Sequence, residues 1–134
     1  MNNSYILLRH AHSRFSSDDF NRTLSEKGFS SLDQFEFLNS FNIDYYFSSP
    51  YKRAFETINS SPIQFNKIVL DNRLRERKLS STFIKDSEFE DSIKYLWQNP
   101  DKSLIGGESN REALKRILDL LEDLEKDIQI KRFC

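Results

Sequence analysis

The chain predicts an α/β fold with a mainly parallel sheet in three layers, helices covering both faces. Three observations lead there. Short β-prone runs recur at Tyr5–Leu8, Ile43–Phe47 and Ile68–Leu70, too far apart for hairpins. Helices are read after each, beyond a polar loop after the first, directly after the second and beyond an irregular charged stretch after the third. The chain has 134 residues, enough for one domain around one core, so a single domain over 1–134 is expected. Strands alternating with helices put parallel strands between helical layers.

The first run, Tyr5-Ile6-Leu7-Leu8, reads as a buried strand that ends abruptly in Arg9-His10. Residues at the carboxyl end of such a strand stand where open α/β sheets hold their ligands. A polar loop follows, from Ser13 to Thr23. Ser25 is placed to cap the next helix, and Glu26 suits the positive end of its dipole. Phe29, Leu32, Phe35 and Leu38 give that helix a buried face, with an end near Phe41-Asn42.

Ile43–Phe47 is the second strand and runs into Ser48-Ser49-Pro50. Pro50 fits the opening turn of a helix over Tyr51 to Asn59, where Arg53 and Thr57 share a face one turn apart. Ile68–Leu70 is the third strand. Residues 73–82 are charged and irregular, with Leu74 and Leu79 as anchors. A helix over Ser87–Asn99 turns Phe89, Ile93, Leu96 and Trp97 inward and stops at Asn99-Pro100. Ser109 or Asn110 caps the last helix, whose stripe is Ala113, Ile117, Leu120, Leu121, Leu124 and Ile128. A final strand is expected to begin within Ile128–Phe133.

Bulk composition excludes several classes. Lys and Arg number 20 against 21 Asp and Glu, which gives no electrostatic footprint for nucleic acid or a membrane surface. No stretch is long and apolar enough to span a bilayer, and no basic segment followed by a long apolar run opens the chain. The single cysteine, Cys134, rules out an intramolecular disulfide and points to a reducing compartment. The expectation is a soluble, cytoplasmic protein. His10 and His12 are the two histidines, and no Cys, His or acidic partner at ligand spacing accompanies them, so no metal is expected.

The chemistry-bearing residues fall into short motifs. Arg9-His10-Ala11 sets an imidazole beside a guanidinium suited to gripping a phosphate. Ser48-Ser49-Pro50-Tyr51-Lys52-Arg53-Ala54-Phe55-Glu56-Thr57 turns a strand into a helix and brings a second guanidinium to its first turn. Leu24-Ser25-Glu26-Lys27-Gly28, Leu74-Arg75-Glu76 and Gly107-Glu108-Ser109 complete the set. Together they resemble the motifs of the histidine phosphatase superfamily, which includes the phosphoglycerate mutases. Those are Arg-His-Gly, Leu-Thr/Ser-x-x-Gly, Ser-Ser-Pro-x-x-Arg-Ala-x-x-Thr (matched here at every fixed position), Leu-x-Glu and Gly-Glu-Ser.

The resemblance implies a phosphoglycerate mutase-like fold and a phosphatase. His10 would be the nucleophile and form a phosphohistidine that water hydrolyses. Arg9 and Arg53 would clamp the phosphate, Ser13 would orient the phosphate loop, and Asn21 is a further phosphate contact or a turn former. Glu76 is the candidate proton donor, or a surface charge among Arg73, Arg75, Arg77 and Lys78. Glu108 contacts substrate or braces the turn before the last helix. The reaction needs no metal or organic cofactor, and the partner would be a phosphorylated small molecule or phosphoprotein.

The resemblance covers Tyr5 to about Ile128, and no histidine follows His12. The family's second histidine, on a strand after the long helix, has no counterpart, so the fold is expected to be incomplete at its C-terminal end. Loss of one pocket donor removes about 3–4 kcal/mol of transition-state stabilisation. The alternatives are a non-catalytic phosphate-binding or interaction module, or an inactive truncated product. Substrate identity and oligomeric state have no code in this chain.

Overall fold

Two of the β-prone runs pair. In the structure, a computed structural model that describes residues 3–80 and 84–133 (side chains to residue 126), β1 is Tyr46–Ser48 and β2 is Ile68–Leu70. They are parallel, with Phe47 opposite Val69 and Ser48 opposite Leu70. The backbone of Asp71 extends the pairing by donating to the Ser48 carbonyl at 2.9 Å. α2, Lys52–Asn59, makes the crossover between them, which is the βαβ connection that parallel strands require.

The chain forms two compact units, Met1–Arg75 and Glu76–Cys134. In the first, Ala11, Leu24 and Leu32 form a buried cluster, with half-buried Phe35 packed against it. α1, Glu26–Ser30, begins where Ser25 accepts the Gly28 amide on its hydroxyl, the N-cap read from the sequence. Gly28 is there because a Cβ would overlap the His12 carbonyl oxygen, so two backbones pass where no side chain fits. After α1 the helix tightens into a 3-10 helix over Leu32–Ser40. The change comes at Ser31: its hydroxyl donates to the Gly28 carbonyl, and its amide is shared between the Lys27 carbonyl, an α-type bond, and the Gly28 carbonyl, a 3-10-type bond. Leu32 and Leu38 are buried as expected, and Phe29 is exposed.

Tyr5–Leu8 is not a strand. Among the described residues the sheet has two strands, and residues 3–12 carry no regular structure. Tyr5, Ile6, Leu7 and Leu8 are all exposed, Leu7 to 84%. β-propensity reports how well a side chain fits a pleated, half-buried surface. A run with no ladder partner has no such surface to fit, so its apolar character alone does not make it a strand.

In the second unit, α3 is Asp86–Gln98 and α4 is Asn110–Phe133. Leu96 on α3 and Leu120 on α4 are buried, and Ile93, Ala113, Ile117, Leu121 and Leu124 are half-buried. Phe89 and Trp97 stay exposed, Trp97 to 75%, against the inward placement expected. Ser109 and Glu112 form a reciprocal capping box at the start of α4: Ser109 Oγ accepts the Glu112 amide at 3.0 Å, and Glu112 Oε1 accepts the Ser109 amide at 3.3 Å. α4 continues to Phe133, where a strand was expected. Extending an existing helix adds one bond per residue with no new nucleus, whereas Ile128-Gln129-Ile130 is too short an alternation to hold a strand without a neighbour. Residues 81–83 and Cys134 lie outside the described residues.

Candidate active site

His10 sits in the first unit, half-buried, just before the buried Ala11. Its Nδ1 lies 2.7 Å from the Ala11 carbonyl oxygen. A carbonyl can only accept, so Nδ1 carries the proton and donates. In the neutral ring that leaves the lone pair on Nε2. Backbone geometry next to the ring therefore selects the tautomer a nucleophilic imidazole needs.

The Ala11 amide ties this segment to α2. It donates to Thr57 Oγ1 at 3.0 Å, and Thr57 Oγ1 in turn donates to the Arg53 carbonyl at 2.8 Å. Thr57 is 2% exposed and Arg53 3%. One hydroxyl thus links the residue after His10 to the turn that carries Arg53, and this is the physical reason the two motifs belong together.

Arg53 stands at the start of α2 with its guanidinium 4.9 Å from the centre of the Tyr51 ring. Its Nη1 donates to the Asp19 backbone carbonyl at 2.9 Å and lies 3.3 Å from the Asp19 carboxylate. Arg22 Nη2 reaches the same carboxylate oxygen at 3.2 Å. The loop that supplies Asp19 is closed at its base. Ser13 and Leu24 form an antiparallel bridge, and the Arg14 amide donates to the Thr23 carbonyl. Glu56 on α2 accepts from the Thr23 hydroxyl at 2.6 Å and from the Leu24 amide at 3.3 Å. Phe20 stacks edge-on against Tyr51 at 5.1 Å, and its carbonyl accepts the Lys52 amide.

The remaining candidates are placed as follows. Arg9 is exposed. Ser13 is half-buried in the bridge at the base of the loop. Asn21 turns its amide group onto Asp18, donating to Oδ2 at 3.0 Å, which is turn chemistry. His12 is exposed and pairs Nδ1 with Ser25 Oγ at 2.7 Å, a partnership that also serves the α1 cap. Among the described residues no cluster of three or more His, Cys, Asp or Glu is placed to hold a metal ion.

Glu76 opens the second unit and is exposed. Glu108 is committed to bracing that unit. Its two carboxylate oxygens take a bidentate ion pair from Arg116, both at 2.7 Å, and its backbone carbonyl accepts two bonds from Arg77. The capping and turn reading of this motif is the one the geometry carries. Two residues that sequence reasoning passed over are Thr57 as a link and Asp19 as the partner of Arg53. The spacing of Asp19 and Arg22, three residues apart, signals only their own pair, and nothing in the sequence signals the pairing of Asp19 with Arg53.

Residues 5–132 match the description of the histidine phosphatase superfamily, branch 1. The chain belongs to that superfamily. Its α/β fold is that of solved family structures. It resembles a native mycobacterial glucosyl-3-phosphoglycerate phosphatase at 18% identity and a TM-score of 0.66, covering 86% of this chain and 60% of that one. The same mycobacterial enzyme in complex with inorganic phosphate is similar at 19% identity and 0.69, over 87% and 60% of the two chains. A structure named mycobacterial hydrolase 1 gives 18% and 0.68, over 87% and 62%. The chain therefore spans about three fifths of the length of these relatives. The sequence has no match among curated proteins. No helix among the described residues is long and apolar enough to cross a membrane.

Proposed function

We propose that this chain is a cytoplasmic phosphomonoesterase working through a phosphohistidine on His10. The observation that carries the reading is the Nδ1 bond of His10 to the Ala11 carbonyl, which points the lone pair to Nε2. Nε2 attacks phosphorus in line, the ester P–O bond breaks, and the leaving alkoxide takes a proton from the Glu76 carboxyl group. Water then attacks the phosphohistidine, giving its proton to Glu76 and releasing phosphate and neutral His10. Arg9 and Arg53 neutralise the equatorial oxygens, where preorganised cations act most strongly on the transition state. Ser13 and Asn21 are proposed as loop contacts to the phosphate, and Glu76 takes the acid role from its place in the Leu-x-Glu motif. The substrate is a phosphorylated small molecule or phosphoprotein, a class consistent with the phosphate ester in the name of the mycobacterial relative. The same reading makes the β1–β2 pair part of a wider, three-layer parallel sheet.

The test is hydrolysis of a generic aryl phosphate by the 134-residue chain beside His10→Ala. Turnover that disappears in the variant supports the reading, and equal turnover in both overturns it. One observation favours a second reading, a phosphate-binding module without turnover: Arg53 is buried and fixed in the fold, whereas Glu76, the proposed acid, is exposed. Phosphate binding that survives His10→Ala, with no hydrolysis by either protein, selects that module.

A further inference from the structure

The guanidinium assigned to phosphate is already holding an anion, and that anion belongs to the chain. Arg53 is almost completely buried, its side chain 4% exposed, while the Asp19 side chain is 61% exposed. The pair is thus asymmetric: the cation is fixed in the fold and the carboxylate is on the solvent side. Arg53 is held from three directions, by α2, by the Tyr51 ring and by the Asp19 backbone carbonyl. The carboxylate can leave without releasing the backbone carbonyl or the ring. It is also shared, because Arg22 Nη2 contacts the same oxygen, so two guanidiniums divide one negative charge. Arg22 Nε is buried and has no hydrogen-bond partner among the described residues. The place holds more donor capacity than one carboxylate uses.

From this we infer that Asp19 is a built-in competitor for the anionic group of the ligand. Its carboxylate occupies Arg53 at rest and is displaced when a phosphate binds. The loop remains anchored as this happens, through the Ser13–Leu24 bridge, the Phe20–Tyr51 contact and the Lys52 amide bond to the Phe20 carbonyl. The displacement is a side-chain rotation rather than a loop opening. A phosphate, carrying more charge and more acceptor oxygens than a carboxylate, wins this exchange, whereas a monocarboxylate gains little over Asp19. Asp19 therefore sets a threshold that selects phosphate esters over carboxylic acids. The inference rests on the reading of Arg53 as a phosphate ligand.

The experiment is calorimetric titration of the full chain with inorganic phosphate and, separately, with acetate, for wild type, Asp19→Asn and Arg53→Lys. Asp19→Asn keeps the shape and the backbone carbonyl and removes the charge. Phosphate affinity is expected to rise about two- to fivefold, and acetate binding to become measurable, as the loss of a competing partly exposed ion pair implies. Unchanged or weaker phosphate binding in Asp19→Asn, with binding reduced in Arg53→Lys, overturns the inference and leaves the site reading standing. Phosphate affinity unchanged in Arg53→Lys overturns both. Thermal unfolding of each variant establishes that it is folded, and Asp19→Ser gives the same comparison if the Asn variant is not.

Discussion

Replacing Thr57 with valine tests the link between the His10 segment and α2. Valine has the same shape, so the packing of a residue that is 2% exposed is preserved. What disappears is the acceptor of the Ala11 amide, in a residue that is itself 8% exposed. A buried N–H left without a partner costs about 1–3 kcal/mol. The donation from Thr57 Oγ1 to the Arg53 carbonyl is also lost, but a helix carbonyl has another claimant and that loss is small. Thr57→Ser is the control: it keeps the hydroxyl and removes one buried methyl, costing about 0.8 kcal/mol. Amide hydrogen exchange at Ala11 should accelerate by roughly one to two orders of magnitude in the valine variant, because 1.4 kcal/mol is a factor of ten. Aryl phosphate turnover, if present, should fall further in Thr57→Val than in Thr57→Ser. If the valine variant exchanges and unfolds like the serine variant, the hydroxyl link is not what holds the His10 segment.

Two other outcomes follow from the packing and the ion pairs. Gly28→Ala drives a Cβ into the His12 carbonyl oxygen, a backbone atom that cannot rotate away, and should lower the urea midpoint by the equivalent of about 2–3 kcal/mol. A midpoint within experimental error of wild type would show that the two backbones part easily. Asp71 takes three bonds from Arg73, through its amide, Nε and Nη2, and the Arg73 side chain holds its carboxyl below the ordinary carboxylate range despite the opposing effect of burial. A lowered folded-state pKa contributes stability above the unfolded value near 4 and loses it as pH falls through the folded value. Asp71→Asn should therefore cost about 1 kcal/mol at pH 7, and the gap to wild type should close below about pH 4. A gap that stays constant from pH 7 to pH 3 would exclude the carboxylate as its source.

Local chemistry was the most legible part of the sequence. Ser25 and Ser109 mark helix starts through interactions that reach no further than one turn, and the structure keeps both, whereas Pro50 lies just before the Tyr51 N-cap of α2 and outside its opening turn. Ile68–Leu70 was readable for a similar reason, since a short β-branched run between turn residues has few other uses. Tyr5–Leu8 has equal β-propensity and is not a strand, because a strand is defined by its neighbour and the neighbour is a long-range fact. Phe89 and Trp97 failed in the same way: helical spacing says which residues share a face, and only tertiary packing says which part of that face is covered. In the candidate site, residue types were legible and pairings were not. Arg53 could be read as a phosphate cation from its motif, while its partner Asp19 is 34 residues earlier, in a loop with no periodic pattern.

The bridge between Ser13 and Leu24 bears on how such a protein can change over evolutionary time. A loop whose two ends are stapled to each other, and through Glu56 to a helix, transmits little of its own variation to the rest of the molecule. Closing a longer loop adds only about 0.6 kcal/mol for each doubling of its length. The tip of the loop at residues 15–17, including the fully exposed Phe15, can therefore be exchanged, inserted or deleted, while Asp19 to Arg22 keep their contacts to α2 and His10 stays where the Ala11–Thr57 bond puts it. Such a loop is a replaceable cassette. New ligand preferences can be tried in it one substitution at a time, with the chemical residues insulated from each trial.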